Sequence, residues 1–263
     1  QGSKESYEKS SASLNAKSAK ERPANGHSQI SRSVKIVGEK LEEVKISVKP
    51  SNKESTAGLI ANIDGGHIKA RGSSRSFEAM IATVYKPENL KKVNKSHNII
   101  EGKTIVASAK NDEQNTMKLL FKSACIKQGM GNNTSVVCLA DGADNCKSIA
   151  YSIAENCKEM TYILDWFHIS MKFKNIAMPE DNIELFDSIK WNLWHGNCDK
   201  ALERLRELMK IKEIAANQSL SNKLNKLFTY ISNNKVGIIN YEQRKNSKLV
   251  FTSNLAESTV NTL

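Results

Sequence analysis

No apolar run in the sequence approaches the roughly 18 to 20 residues of a membrane span, and the amino terminus carries no apolar signal region. A helical membrane protein and a signal-bearing precursor are thereby set aside, and the sequence reads as that of a soluble, cytoplasmic protein. Cysteine is scarce and unpaired. Cys125, Cys138, Cys146, Cys157 and Cys198 are odd in number, lie largely within apolar patterns and form no CxxC pair, which predicts reduced core thiols and indicates neither a disulfide frame nor a zinc knuckle. An initiator Met is missing too: the chain opens on Gln1 and stops at Leu263 inside an expected helix, as a fragment of a longer protein would. Negative charge is in deficit, with 28 Asp+Glu against 39 Lys+Arg, a formal +11 and a pI near 9.3. That balance favours a polyanionic partner such as nucleic acid.

What is present suffices for one substantial core, since the chain has 263 residues and 39% hydrophobic content. Residues 1–32 are rich in Ser and Lys and nearly free of large apolar side chains, so they are expected to be disordered or loosely ordered. Residues 33–56 form a lead-in whose Val34, Ile36, Val37, Leu41, Val44, Ile46 and Val48 fit either an edge strand or a short helix. The first part of the core is expected over 57–175. It opens with the run Leu59-Ile60-Ala61-Asn62-Ile63, which suits a strand covered on both faces, ending at Asp64 with Gly65-Gly66 freeing the backbone to turn. Further strands are expected at Phe77–Tyr85 and Lys103–Ala109, at spacings short enough for antiparallel neighbours.

Asp112 is placed to cap a helix carrying Met117, Leu120, Phe121 and Ala124, with Gly129 and Gly131 ending it. Val136-Val137-Cys138-Leu139-Ala140 then repeats the logic of the first strand and ends at Asp141-Gly142. A helix over about 144–158 and a strand Thr161–Leu164 complete a βαβ crossover, so the last two strands should be parallel. Three amphipathic helices follow within an all-helical insertion over 176–248, marked by Ile183 to Leu193, Leu202 to Met209 and Leu220 to Ile231. Residues 249–263 return to the core and begin a last helix. The expected class is thus α/β, a mixed sheet flanked by helices with an all-helical insertion.

Asp64 and Asp141 stand at the ends of buried strands, and Glu257 falls on the first turn of the late helix. In open α/β sheets functional groups gather outside the carboxyl ends of strands, where two aspartates can meet. Two meeting carboxylates repel unless one takes a proton or a hard cation such as Mg²⁺ or Mn²⁺ holds both. Two such ions about 3.5 to 4 Å apart suit in-line phosphoryl transfer.

The ordered set Asp64-Gly-Gly, Ala140-Asp141-Gly142, Asp165-Trp166-Phe167-His168, a helical interruption and Glu257-Ser258-Thr259-Val260-Asn261 resembles a DDE transposase of bacterial insertion sequences. The match is to families with a helical insertion, related to the Mutator-like transposases, and covers roughly Gly58 to Leu263. The resemblance implies a ribonuclease H-like fold in which Asp64, Asp141 and Glu257 bind two divalent ions, Mg²⁺ or Mn²⁺. It implies attack on a phosphodiester by water or a DNA 3′-hydroxyl, cutting element ends and joining them to target DNA, with a homo-oligomer on DNA as the working form. Asp165 and His168 match the (C/D)xxH motif that supports the active site in such families.

Each residue also has a plainer reading. Asp64 and Asp141 suit ordinary turns, His168 suits a satisfied core histidine, and Asn254-x-x-Glu257 has the form of a capping box. Asp165 is an alternative second acid. Lys69, Arg71 and Arg75 suit either DNA phosphates or a solvated loop. Trp191, Leu193, Trp194 and His195 fit a core face better than a base-stacking surface. Two other functions stay open from the sequence: a ribonuclease H-like nuclease that does not join strands, and a non-catalytic DNA-binding remnant of a truncated element.

Overall fold

The computed structural model describes residues 6–17, 26–46, 55–69, 76–92 and 98–253. It divides into two units, residues 1–49 and 50–263. The first holds two helices, α1 (Tyr7–Ala16) and α2 (His27–Ile46), packed on each other. Ser6 caps α1 by accepting from the Lys9 amide at 3.3 Å. Order therefore extends into the segment expected to be loose, and the lead-in through Ile46 is helix, continuous with residues before position 33. Helical spacing of Ile30, Val34, Val37, Leu41 and Val44 is the pattern underneath, which partial alternation obscured in the sequence.

The second unit is α/β. Its mixed sheet is built from β1 (Gly58–Lys69), β2 (Ser76–Tyr85), β5 (Thr104–Ser108), β6 (Ser135–Ala140) and β7 (Glu159–Leu164), in the order β5-β2-β1-β6-β7. β3 (Leu90–Lys92) and β4 (Asn98–Ile100) form a separate ribbon. β1, β2 and β5 are antiparallel neighbours, as their short connections require, while β6 and β7 run parallel to β1. Between the halves lies α3 (Asn115–Lys127), packed on β2 and β5. Asp112 receives the Thr116 amide at 2.9 Å and its hydroxyl at 2.5 Å, so it serves the first turn of this helix from two residues before the N-cap position, which Gln114 occupies rather than the expected Asp112. α4 (Asp144–Tyr151) packs on β1, β6 and β7 and stops earlier than expected, giving way to a 3₁₀ turn at Ala154–Asn156.

Side chains alternate between the faces of the sheet. Ile60, Leu139 and Ile163 point into one cluster with Ile169 and Phe173 of α5 (Trp166–Lys174) and Phe186, Ile189 and Leu193 of α6 (Ile183–Trp194). Leu202, Leu205 and Leu208 of α7 (Cys198–Lys210), Ile214 of α8 (Lys212–Ala216) and Leu220, Leu224, Leu227 and Ile231 of α9 (Gln218–Asn233) extend the same cluster. The insertion is thus not a detached module. Its leucines at three- and four-residue spacing continue the core of the sheet, and two short helices, α8 and α10 (Tyr241–Asn246), join the three the periodicity predicts. Tyr241 of α10 is fully buried and donates its hydroxyl to the Leu164 carbonyl at 2.7 Å, pinning the end of the insertion to the end of β7.

Candidate active site

The Gly65-Gly66 pair does not turn the chain. β1 continues through it to Lys69, paired with β2 as far as Lys69↔Ser76. What ends near Asp64 is the other partnership, since the last register pair of β1 with β6 is Ile63↔Ala140. Leu59 to Ile63 are accordingly buried between two neighbours, and Gly65 to Lys69 are exposed on one. Asp64 sits at the step between them. A Cβ on Gly65 would meet Met80 Sδ at 3.0 Å and Glu78 Oε1 at 3.2 Å, so the absent side chain serves close strand approach.

The same register fixes the other acids. Ile63 pairs with Ala140, and Ala140 with Leu164. Asp64, Asp141 and Asp165 each follow directly, so three aspartates stand at one level where three adjacent parallel strands end their pairing. The Asp165 amide still reaches the Ala140 carbonyl at 2.9 Å.

Their surroundings differ. Asp64 is half-buried and accepts the Gly65 amide at 2.8 Å. Burial pushes its carboxyl above the ordinary value and the negative charges of Asp141 and Asp165 add to this, while the Gly65 amide and His168 pull it back. Asp141 accepts the Ala143 amide at 2.8 Å in the turn that leads into α4. Tyr230 of α9 donates to its backbone carbonyl at 2.8 Å. Gly142 has φ +96°, and a Cβ there would overlap Asn234 at 2.6 Å, so only glycine allows α9 to close on this turn. Burial and the neighbouring Asp141 both push the Cys146 thiol up, keeping it protonated.

Asp165 is fully buried. It caps α5 by accepting the Phe167 amide at 3.1 Å, takes the Ser253 amide at 3.0 Å and the Ser253 hydroxyl, and has His168 Nε2 at 3.6 Å. The next residue, Trp166, bonds the Phe251 carbonyl at 3.4 Å. Asp165 and the Trp166 amide therefore tie α5 to the returning segment Phe251–Ser253, with His168 beside the Asp165 carboxylate. Both oxygens of Asp165 are engaged within the chain, which favours Asp141 over Asp165 as the second open carboxylate.

A small cavity of about 30 Å³, room for about a water molecule, lies among Asn62, Asp64, Thr83, Asp165, His168 and Ser253. Asn62 Oδ1 is buried there with no hydrogen-bond partner. A desolvated carboxylate and an orphaned amide oxygen are hard oxygen donors of the kind Mg²⁺ or Mn²⁺ takes. Among the described residues no group of three or more His, Cys, Asp and Glu side chains converges closely enough to hold a metal. The third expected acid, Glu257, lies outside the described residues, as do Arg71 and Arg75. Lys69 is on the exposed end of β1.

Sequence reasoning missed Asn62 and Ser253. Asn62 had a readable signal, a polar residue in a buried strand two positions before Asp64 and hence on its face. Ser253 had none, because its role depends on a partner 88 residues away. The expectation of a core position fails for Trp191, which is 60% exposed, and holds for the fully buried Leu193.

No family model and no curated protein matches this sequence. A solved structure described as the crystal structure of NurA aligns at 12% identity over 88% of this chain and 69% of its own, with a TM-score of 0.13. So low a score carries no argument about fold or function.

No helix among the described residues is long and apolar enough to cross a membrane.

Proposed function

We propose that the chain is the catalytic domain of a DDE-type DNA transposase with a ribonuclease H-like fold. The observation that carries this reading is the placement of Asp64, Asp141 and Asp165 at one level, each after a register partner in β1, β6 and β7. The strand order β5-β2-β1-β6-β7, with an antiparallel meander on one side and two parallel strands on the other, supports the ribonuclease H-like assignment. Order along the chain supports it too, since the helical insertion separates Asp141 from the segment that leads to Glu257.

In this reading Asp64 and Asp141 hold Mg²⁺ or Mn²⁺, with Glu257 completing the set. When bound, such ions supply charge neutralisation and Lewis acidity at the scissile phosphate. The buried environment of Asp64 makes its charge, when ionised, count for more than it would in water. Asp165 acts indirectly by holding Ser253 against α5, with His168 beside its carboxylate as a supporting group. Lys69, on the exposed end of β1, meets DNA phosphates together with Arg71 and Arg75, and the +11 charge draws the polyanion in. Water or a strand's own 3′-hydroxyl then attacks phosphorus as the opposite P–O bond breaks.

The test is cleavage of labelled duplex DNA carrying candidate element ends, with Mg²⁺, with Mn²⁺ and with a chelator. Metal-dependent cutting by the wild type, lost by orders of magnitude in Asp141→Asn and in Glu257→Gln with the fold kept, is the expected result. Joined products separate a transposase from a nuclease that only cuts. Unchanged cutting in Asp141→Asn would sink the assignment.

A further inference from the structure

Every tryptophan of the chain lines one open groove. Trp166 comes from the start of α5, and Trp191 and Trp194 from the end of α6. Asp187 and Lys190 of α6 and Glu242, Lys245 and Asn246 of α10 complete a space of about 520 Å³. That is large enough for a small ring system and falls in the usual range of ligand clefts.

The floor is stiff. Trp166 lies 4.7 Å from Trp194 and 4.9 Å from Tyr241 between ring centroids, and Trp194 packs edge-on to Phe251 at 5.5 Å. One wall is different, because Trp191 leaves 60% of its surface in water. It is nonetheless held in place: His195 meets its ring at 4.6 Å, and His195 Nδ1 is fixed by Glu242 at 3.1 Å. A pre-positioned indole with an open face favours a flat partner, since two aromatic faces gain contact without ordering a flexible chain.

Charge narrows the choice. Two carboxylates and two ammonium groups line the groove, so a ring that is itself uncharged but carries N–H and carbonyl edges finds acceptors in Asp187 and Glu242. Lys245 lies 5.8 Å from the Trp194 ring centroid and, with Lys190, supplies cations for an attached phosphate. Trp166 also follows Asp165 directly, so the floor of the groove begins where the buried clamp of the acid site ends. We infer that this groove is a binding site for an unpaired nucleobase of a DNA strand, stacked on Trp191 and Trp194 with its phosphates on Lys190 and Lys245. The inference rests on DNA being the substrate and adds a subsite for single-stranded DNA to that reading.

The location of all three tryptophans makes the site report on itself. In chelator, so that no cutting occurs, the protein is titrated at low salt with a short oligothymidylate and with an abasic strand of the same length, following intrinsic fluorescence and the anisotropy of a label on the strand. Oligothymidylate should quench the tryptophans, and the abasic strand should bind through its phosphates with little quenching. Trp191→Ala removes an exposed ring, leaves the floor intact, and should weaken oligothymidylate about 5- to 150-fold while abasic binding stays the same. Equal quenching by both strands, or oligothymidylate affinity unchanged in Trp191→Ala, overturns the assignment. Quenching by a proline-rich peptide with none by oligothymidylate also overturns it, and gives the groove to a protein partner. A protein that cuts duplex DNA but shows no base-dependent quenching loses this subsite alone; one that quenches but does not cut loses the catalytic reading alone.

Discussion

Asp64 and Asp165 stand at one level of the sheet, each one residue beyond the last parallel register pair of its strand, yet the chain treats their charges differently. Around Asp165 it supplies the Phe167 amide, both donors of Ser253 and a nearby His168. Around Asp64 it supplies burial, the charges of two other aspartates and a single amide from Gly65. A buried carboxylate with several donors holds structure together; a desolvated one with few is costly until something binds it. One carboxylate is satisfied by the chain's own donors, and under the proposed function the other is satisfied by the metal ion.

The sharpest way to break this contrast is Asp64→Asn. Cleavage should fall by about 10³-fold or more, several kcal/mol of charge stabilisation, while the melting temperature without metal stays at or above that of the wild type. The sign follows from the direction of its shift. A carboxyl raised on folding contributes stability that is present below its unfolded pKa and is lost as pH rises through the folded pKa. At neutral pH the ionised Asp64 therefore opposes folding. Added Mg²⁺ should raise the melting temperature of the wild type and leave Asp64→Asn unmoved; an equal shift in both proteins would place the ion elsewhere.

Asp165 should respond in the reverse sense. Asp165→Ala strips α5 of its cap and leaves the Ser253 and Phe167 donors unpaired, a loss of about 2 to 4 kcal/mol in urea unfolding. Asp165→Asn keeps one acceptor and should lose about half of that. If Asp165→Ala unfolds at the wild-type urea midpoint, the clamp contributes nothing and the contrast collapses.

The smallest effect distinguishes two neighbouring glycines beside Asp64. Gly65→Ala drives a methyl against Met80 and Glu78 and should destabilise by about 1 kcal/mol, softened by the flexibility of the Met80 side chain. Gly66 has nothing within 4 Å of an added Cβ, and Gly66→Ala should stay within about 0.5 kcal/mol of wild type. Calorimetric melts of the pair would show whether close approach rather than turning is why Gly65 is there.

The contrast at the strand ends was only half legible in the sequence. Apolar runs ending in aspartate placed β1, β6 and β7 and their acids well, because burial on both faces leaves a strong local pattern. Gly65-Gly66 misled, since a paired neighbour such as β2 holds glycine in extended form whatever its freedom elsewhere. Helix α1 was missed, and α2 was legible only as either an edge strand or a short helix with its start too late, because their propensity is spread thinly over Ser- and Lys-rich sequence. Trp191 shares the periodicity of a buried helix face, and only the placement of α10 decides that its ring borders a groove rather than a core. The Ser253 partnership is a tertiary fact with no local trace.

That partnership also bears on how the protein is made. Asp165 and Ser253 are 88 residues apart, and the intervening helices must all be placed before the bond can form. Loop-closure entropy grows only slowly with length, so the separation is tolerable at equilibrium, but contacts this distant in sequence form late in time. During synthesis β1, β6 and β7 emerge well before Ser253, at about 5 to 20 residues per second. For several seconds the three aspartates lie together without the segment that shields one of them, and a nascent chain should show a protease-sensitive α5 until residue 253 clears the ribosome.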